Sequence, residues 1–406
     1  MKVLYLADIR FPLERANGLQ TMRTCGAVAD RGHHITLVVR VDTRGRRRDP
    51  FAFYSMVKSP HFELRQCNVR GLPPIRRASY LAMALACTMR VRRTSIVISR
   101  DLGVVDLLLR LPRTLRPPII YESHGFAPTM AVDRARAVTG AGRVSEMKQR
   151  RLVRRERRVW HSADGYVSTT RALRNELDER FGPRECVAVI PNGVTLHSDR
   201  RLRPPPLSAA PTVAYAGHLY PWKGVDVLLR ALALLPEARG AIIGGNPNEQ
   251  DLGRLRSLAR EIGIADRVTF VGMVEPHRVR ERLLDGDVLV VPTLASPFAS
   301  RYTSPLKLFE YMEVGKPIVA SDLPSIREVL RDGANAVLVT PGDAGALADG
   351  LRRVLTDQRL ANAIARQAFD DAALYGWDRR AERLEQLFGE VLAKCSLPPT
   401  AGVREA

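Results

Sequence analysis

No apolar run in the sequence approaches the roughly 20 residues that a helix needs to cross a bilayer, so a membrane-spanning protein is not expected. The five cysteines show no paired spacing, which disfavours both a disulfide framework and a zinc site. The first residues, 1–7, already form a strand pattern, with no basic leader or cleavage site before it. These absences lead us to expect a cytoplasmic protein whose cysteines are mostly buried as small apolar residues.

Acidic residues are few relative to basic ones, because 43 Asp and Glu stand against 63 Lys and Arg and leave a formal net charge of +20. Such a charge favours polyanionic partners, which here means nucleic acid, anionic lipid or phosphorylated substrates. The sequence contains no recognisable nucleic-acid motif, so nucleic acid is not expected as a partner.

Much of the positive charge lies between Arg143 and Arg158, where only Glu146 and Glu156 oppose it. Residues 143–162 are a predicted helix, but their apolar side chains are too scattered to form a wide stripe. A solvated arginine-rich face is one interpretation. Docking on an anionic surface at the inner face of a membrane is the alternative.

Short β-rich runs alternate with amphipathic segments along the 406 residues, which is typical of parallel sheets with crossover helices. The first set of predicted strands is 3–7, 35–41, 96–99, 119–122, 165–169 and 187–190. After a turn at 191–193 and a proline-rich spacer at 203–206, the second set is 212–216, 240–243, 268–271, 288–291, 318–320 and 336–339.

This repetition predicts an α/β protein with two doubly wound, Rossmann-like domains, 1–200 and 201–375, that face one cleft. A terminal helix at 376–396 is expected to pack back on the first domain, and 397–406 to be disordered. Ligands of such sheets bind at the carboxyl ends of the strands. The spacer and the segment around Gly376 are hinge candidates.

The segment 302–321, together with Lys223-Gly224 upstream, carries the clearest chemical signal. Ser304 and Pro305 predict the start of a helix, because serine can cap the first amides and proline suits the first turn. A helix start attracts phosphate. Glu310 lies about one and a half turns further along. One helix is therefore predicted to hold a nucleotide's phosphate at its tip and the ribose hydroxyls on a carboxylate.

The ordered motifs of the chain resemble the family 4 retaining glycosyltransferases of cell-surface polysaccharide and glycoconjugate biosynthesis, which have the GT-B architecture. The motifs are Asn17-Gly18-Leu19, Gly32-His33, Glu122-Ser123-His124-Gly125, Ala163-Asp164-Gly165, Ile190-Pro191-Asn192-Gly193, Ala216-Gly217-His218-Leu219, Lys223-Gly224, Ile243-Gly244-Gly245, Phe270-Val271-Gly272, 287–292 and the Glu310 helix with Gly315-Lys316-Pro317. The resemblance implies transfer of a sugar, with retention, from a nucleoside diphosphate sugar to an acceptor hydroxyl. It implies no cofactor and no metal.

The resemblance also implies roles for particular residues. Catalytic roles fall on His124, Lys223 and Glu310, with His124 beside the transferred sugar and Lys223 on the donor diphosphate. Glu122 and Arg100 join His124 as acceptor-side candidates, because they lie at the ends of neighbouring predicted strands. The implied donor-binding residues are Asn17, Gly18, His218, Lys223, Gly244, Val271, Tyr302, Ser304, Leu306, Lys307 and Glu310.

Two positions depart from the family's pattern. His218 stands where the family generally has an arginine that holds the diphosphate. Tyr302 stands where the family has the first of two glutamates, which contacts hydroxyls of the donor sugar. Donor recognition is therefore expected to differ, with Tyr302, Lys307 or Arg301 as candidates for the missing contact.

The acceptor is expected to be a lipid-linked sugar or a growing glycan, because the basic first domain suits an anionic surface. A small soluble metabolite or aglycone is the alternative acceptor. A non-catalytic sugar-nucleotide-binding protein and a GT-B epimerase of nucleotide sugars are the alternative functions, motivated by His218 and Tyr302.

Overall fold

The computed structural model describes residues 1–13, 15–42, 48–69, 71–91, 95–139, 143–202, 210–245 and 250–396. The proline-rich spacer at 203–206 and the predicted disordered tail at 397–406 lie outside these ranges.

A seven-stranded parallel sheet forms the first unit, in the order β3-β2-β1-β4-β5-β6-β7. Its strands are β1 (Lys2–Phe11), β2 (His34–Val41), β3 (Phe62–Cys67), β4 (Ile96–Ser99), β5 (Ile119–Ser123), β6 (Gly165–Ser168) and β7 (Val187–Val189). Its helices are α1 (Ala16–Asp30), α2 (Pro50–Phe53), α3 (Pro73–Arg90), α4 (Leu102–Leu108), α5 (Ala127–Thr139), α6 (Glu146–Ser162) and α7 (Arg171–Phe181).

A six-stranded parallel sheet forms the second unit, in the order β10-β9-β8-β11-β12-β13. Its strands are β8 (Thr212–Ala216), β9 (Arg239–Ile243), β10 (Val268–Gly272), β11 (Val288–Val291), β12 (Ile318–Ser321) and β13 (Val337–Val339). The helices that follow are α8 (Val225–Ala233), α9 (Gln250–Glu261), α10 (Pro276–Leu284), α11 (Pro297–Tyr302), α12 (Leu306–Val314), α13 (Pro324–Arg327), α14 (Ala344–Thr356), α15 (Gln358–Asp371) and α16 (Trp377–Ser396).

The predicted pair of Rossmann-like parallel sheets is confirmed. Central strands were predicted well because their buried stretches, such as 3–7 of β1 and all of β11, are apolar, as is typical of strands buried on both faces. Edge strand β3 was missed, since its solvent-exposed positions carry Glu63, Arg65 and Gln66 between few apolar residues. Helices α5 and α11 were also missed, because proline and polar residues interrupt any apolar period in 127–139 and 297–302.

The chain crosses between the two sheets twice, and the crossings pair with each other. Val194 and Gly376 form a parallel bridge. Val194 N donates to the carbonyl of Tyr375 at 2.9 Å, and Trp377 N donates to the carbonyl of Val194 at 3.2 Å. Beyond this point α16 packs on α1, where Leu384 and Phe388 are fully buried in the core of the first unit.

Polar contacts also join the units away from the crossings. The Glu328 carboxylate, next to α13, accepts from the first amides of α7, Arg171 N at 2.7 Å and Ala172 N at 2.9 Å. A carboxylate at a helix amino terminus is stabilised by the free amides and the helix dipole. Glu328 therefore caps a helix of the other unit.

Tyr302, expected to contact the donor sugar, instead belongs to this contact between the units. Its side chain is 2% exposed, and its hydroxyl donates to Glu176 Oε2 of α7 at 2.6 Å. Arg301 Nη1 reaches the same oxygen at 3.3 Å. The sequence did not reveal this partner, because Glu176 lies 126 positions away in the chain. The contact of Tyr302 with the donor sugar stays a prediction.

Helix α6 contains the arginine-rich segment, and part of its charge is paired. Arg155 and Arg158 lie 3.3 and 2.9 Å from Asp106 of α4, which is buried. Arg151 and Arg154 are exposed. No helix in the described ranges is both long and apolar enough to cross a membrane.

Glu156, on the inner side of α6, gives a stability test through pH. It is fully buried, accepts from Ala127 N at 3.0 Å at the start of α5, and its pKa is raised by burial from 4.5 to about 8. The folded protein keeps this proton up to about pH 8, whereas the unfolded chain releases it above its ordinary pKa. The free energy of unfolding should therefore fall as pH rises between these values, by at most about 5 kcal/mol at about 1.4 kcal/mol per unit.

Urea denaturation of Glu156→Gln tests this expectation, because glutamine accepts from Ala127 N without titrating. The variant should lack the loss of stability between pH 5 and 8. Glu146→Gln, at an exposed position of α6, is the matched control and should keep the wild-type profile. Parallel profiles for wild type and Glu156→Gln would show that Glu156 is ionised in the folded protein.

Tyr302→Phe tests the contact between the units. It removes one hydrogen bond to a buried carboxylate, so the free energy of unfolding should fall by about 1–3 kcal/mol while donor affinity stays unchanged. Glu176→Gln and the double variant complete a thermodynamic cycle, in which coupling of about 1 kcal/mol is expected. If the effects of the two variants on the free energy of unfolding are additive, or if Tyr302→Phe alone weakens donor binding, Tyr302 contacts the donor.

Candidate active site

The carboxyl end of β5 places Glu122 at the centre of a buried hydrogen-bond network. Glu122 Oε1 accepts from Gln20 Nε2 at 2.7 Å, from Arg380 Nη2 at 2.6 Å and is 2.9 Å from His124 Nε2, and Tyr5 donates to Oε2 at 3.1 Å. Burial opposes ionisation of Glu122, but the charge of Arg380 and the contact with His124 outweigh it and hold its pKa below the usual range. Glu122 is therefore an anion inside the protein.

His124, two residues further on, is neutral at physiological pH. Burial and the nearby Arg100 lower its pKa to about 4, although Glu122 acts in the opposite direction. Because an ionised carboxylate only accepts, Nε2 must donate to Glu122 and Nδ1 keeps its lone pair. The ring side chain is 18% exposed, so Nδ1 can accept from a hydroxyl in the cleft.

Arg100 follows β4 and lies beside the same network. Its Nη1 donates to Gln20 Oε1 at 2.6 Å, and in the described part of the chain it forms no ion pair with a carboxylate. Arg100, Glu122 and His124 are thus brought together, as expected for parallel strands that end at one edge. An arginine held by a neutral amide retains its charge for an anionic ligand.

Asn17 and Gly18 were expected in a loop but lie in the first turn of α1. A Cβ on Gly18 would lie 2.3 Å from the Tyr54 hydroxyl, so the glycine allows close packing within the first unit. The Asn17 carbonyl lies 3.5 Å from Arg100 Nη1, and its Oδ1 is buried without a hydrogen-bond partner among the described residues. Asn17 is therefore next to the Glu122 network.

On the opposite side of the cleft, α12 begins with uncapped amides. Its N-cap is Pro305, which has no side chain to cap them. Ser304 was expected to cap this helix, but its Oγ accepts from Asn192 N at 3.0 Å, and its carbonyl accepts from Asn192 Nδ2 at 2.6 Å. The first amides, those of Leu306 and Lys307, thus have no side-chain cap and suit an anion.

Two lysines, Lys223 and Lys307, lie near this helix start. Lys307 Nζ lies 3.6 Å from the centre of the Tyr215 ring, and neither Lys307 nor Lys223 forms an ion pair with a carboxylate in the described residues. Burial and the neighbouring charge of Lys223 lower the pKa of Lys307 well below its usual range, and burial also lowers the pKa of Lys223. A bound anion would favour the charged form of both lysines, so this region suits an anionic ligand.

Backbone atoms approach closely at the strand ends beside these lysines. Gly217 has φ +136°, and a Cβ there would lie 2.8 Å from Lys307 Nζ. Gly244 has φ +119°, and a Cβ there would lie 2.2 Å from the Gly217 carbonyl oxygen. Gly244 N donates to the Gly272 carbonyl at 2.8 Å, which brings the ends of β8, β9 and β10 together.

His218, predicted in place of a diphosphate arginine, is part of an aromatic stack. Its ring lies 5.0 Å from that of Tyr220 at an angle of 14°, and Tyr220 lies 4.6 Å from Trp222 at 15°. The stack leads directly to Lys223, and its three rings pack against one another along the loop after β8. Val271 packs partly against the second unit's core.

Glu310 lies further along α12 and is half-buried. Burial raises its pKa to about 6, while the charge of Lys307 opposes that rise. It is thus mostly ionised at neutral pH and can accept two hydroxyl hydrogen bonds. Glu313, on the same helix, instead pairs with Arg280 at 2.9 Å.

The sequence analysis missed Arg380, Gln20 and Glu176. Gln20 and Arg380 lie in helices that were predicted from their apolar residues alone. Little in the local sequence distinguishes these two polar side chains from surface residues. The available signal was weak: Arg380 follows Trp377 and precedes Ala381, so it falls toward the buried face of α16.

Comparisons with known proteins match both units of the chain to glycosyltransferase families. The family described as glycosyl transferase 4-like domain matches residues 18–193, and the family described as glycosyl transferases group 1 matches residues 210–357. D-inositol 3-phosphate glycosyltransferase of Nocardia farcinica is 29% identical over 296 residues, which are 68% of this chain and 62% of that protein. The protein of the same name from Xylanimonas cellulosilytica is 30% identical over 291 residues, 67% and 66% of the two chains. The chain thus matches less than two thirds of the length of these curated relatives.

Solved structures show the same fold at low sequence identity. Sucrose-phosphate synthase from Thermosynechococcus elongatus aligns with a TM-score of 0.76 and 20% identity, covering 97% of this chain and 100% of that one. HepE of Anabaena, solved in complex with UDP-glucose, aligns with a TM-score of 0.72 and 19% identity, covering 97% and 100%. The two family matches fall on the two parallel sheets, and the chain therefore belongs to the family 4 glycosyltransferases with the GT-B fold.

Proposed function

We propose that this protein transfers a sugar, with retention at the anomeric carbon, from a nucleoside diphosphate sugar to a hydroxyl of a phosphate-bearing acceptor. The observation that carries the proposal is the group of cationic donors in the second unit. Lys307 lies in the first turn of α12 beside the uncapped amides and is near enough to Lys223 for that charge to act on it, and neither lysine forms an ion pair with a carboxylate among the described residues. Glu310 lies on the same helix, about one turn after Leu306.

In the proposed reaction, the bond between the anomeric carbon and the diphosphate oxygen breaks, and its electron pair stays on the phosphate. Lys223 and the α12 amides stabilise this developing charge. The acceptor oxygen forms the new bond on the same face of the sugar, and its proton passes to the leaving phosphate. His124 Nδ1 accepts from a sugar or acceptor hydroxyl and orients it, while Glu122 holds the ring.

The phosphate on the acceptor is proposed from Arg100, whose charge lies beside His124 and forms no direct ion pair with a carboxylate among the described residues. The names of the relatives support it, since they describe glycosyltransferases of D-inositol 3-phosphate. Uridine diphosphate sugars are the first donors to test, because the HepE structures contain UDP and UDP-glucose. No metal is included, because Lys223 and α12 supply the positive charge.

A lipid-linked acceptor is the second candidate, and α6 is the observation that favours it. Arg151 and Arg154 extend from this helix into solvent, and each basic residue near an anionic bilayer contributes about 1 kcal/mol of attraction. In that case the phosphate next to Arg100 belongs to the lipid carrier.

Glu310→Gln tests the donor site. The variant keeps the side chain's size but loses its charge, so the dissociation constant of a UDP-sugar should rise roughly 10- to 100-fold, as expected for charged hydrogen bonds of about 1.5–3 kcal/mol. Wild-type affinity should also fall below about pH 6, where Glu310 becomes protonated, whereas the variant should show no such dependence. Isothermal calorimetry measures both effects.

Glu281→Gln is the matched control for this experiment, because Glu281 is exposed on α10. Its donor affinity should equal that of the wild type. Unchanged affinity in Glu310→Gln would place the ribose elsewhere.

Turnover assays test the reaction and the acceptor. UDP should be released only when an acceptor is present; binding without product would indicate a sugar-nucleotide-binding protein, and interconversion of donor sugars an epimerase. Inositol 3-phosphate should be used at least roughly 10-fold better than inositol, since a charge-assisted contact with Arg100 is lost without the phosphate. Arg100→Gln should remove this preference, and Arg90→Gln, at an exposed position of α3, should keep it.

Lipid extracts in the same assay distinguish the two acceptor classes. Product formed only with extracts would assign a lipid-linked acceptor. Equal use of phosphorylated and unphosphorylated acceptors would contradict the phosphate-bearing acceptor in either form.

A further inference from the structure

Arg380 lies on α16, after the second unit in the chain, yet its side chain is buried inside the first unit. Only 2% of the side chain is exposed. Its Nε donates to Thr24 Oγ1 at 3.0 Å, its Nη1 to the carbonyls of Ile190 at 2.9 Å and Pro191 at 2.7 Å, and its Nη2 to Glu122 Oε1 at 2.6 Å. A planar guanidinium can hold several partners in fixed directions at once, which an ammonium group cannot.

We propose that Arg380 is a positioning residue for the acceptor site: by holding Glu122, it fixes the orientation and tautomer of the His124 ring. The same oxygen, Glu122 Oε1, contacts both Arg380 Nη2 and His124 Nε2. This inference rests on the proposed function for the role of His124, but the arrangement of the three side chains can be tested without turnover.

The charges around His124 come from several elements. Glu122 lies on β5, Arg100 follows β4 and Arg380 lies on α16, while Tyr5 of β1 and Cys25 of α1 face Glu122. Without Arg380, the carboxylate keeps Tyr5 and Gln20 but loses its ion-pair partner. His124 loses a nearby positive charge and becomes easier to protonate. A protonated ring donates from both nitrogens and no longer accepts from a hydroxyl.

Arg380 also connects this site to the crossings between the units. The carbonyls of Ile190 and Pro191 lie on the first crossing, just before Val194, which pairs with Gly376 on the second. The guanidinium therefore contacts the histidine's partner and the crossing segment at the same time. A movement of the crossing segment would therefore act on His124 through the Arg380 side chain.

Nitrogen-15 NMR of the histidine rings in the full chain tests the proposal, with His124→Gln used to assign the signal. In the wild type, His124 should stay neutral with hydrogen on Nε2 from about pH 5 to 8. In Arg380→Gln it should protonate measurably within about pH 5 to 7, or populate both tautomers. Arg379→Gln, at the neighbouring exposed position of α16, should behave like the wild type.

Arg380→Gln leaves a buried carboxylate without its cation and can prevent folding. Glu122→Gln with Arg380→Gln removes both buried charges and is the second variant. In this double variant the neutral amide at position 122 can donate or accept, so His124 should populate both tautomers. A His124 ring whose titration and tautomer match the wild type in a folded variant would overturn the proposal.

Kinetics separate this inference from the proposed function. In Arg380→Gln, kcat for transfer should fall at least roughly 10-fold and the acidic limb of its pH profile should move to higher pH, while the donor KM stays within about 2-fold. If kcat falls and the donor KM rises to a similar extent, with no shift in the pH profile of kcat, Arg380 is a purely structural residue. If the wild type shows no transfer, the proposed function fails and the NMR titration still decides the role of Arg380.

Discussion

The buried ion pair between Arg380 and Glu122 is the contact on which the first-unit side of the cleft depends. Removing two charges from water is costly, and the cost is recovered only when every remaining donor and acceptor finds a partner. Here the guanidinium has four hydrogen bonds and the carboxylate contacts Tyr5, Gln20 and His124 as well. The last helix of the described chain is thereby tied to the centre of the first sheet, next to His124, which we propose orients the acceptor.

The second-unit side of the cleft has the opposite electrostatic character. Burial lowers the pKa of both lysines, the charge of Lys223 lowers that of Lys307 further, and neither lysine forms an ion pair with a carboxylate in the described residues. The first unit thus pairs the Glu122 carboxylate with Arg380, whereas Lys223 and Lys307 of the second unit have no such ion pair among the described residues. The phosphates of a nucleotide bound there would neutralise the charge of these lysines.

Much of the architecture could be predicted from local pattern. Runs such as 288–291 are apolar throughout, and helix α12 was recognised together with Glu310, because periodicity and burial agree in these segments. Edge strand β3 could not be predicted from an apolar run, because half of its residues face solvent. For the site, Arg100, Glu122 and His124 could be grouped in advance because parallel strands end at one edge.

The sequence by itself determined that there are two parallel sheets, because short apolar runs alternate with amphipathic segments. It also determined which residues follow the strands, because the carboxyl ends of parallel strands lie at one edge of a sheet. Only the tertiary structure decided that Tyr302 binds Glu176, that Ser304 binds Asn192 and that Arg380 holds Glu122. Each of these contacts joins residues more than a hundred positions apart in the chain. A side chain's partner at that distance depends on how the two units pack, which no local pattern encodes.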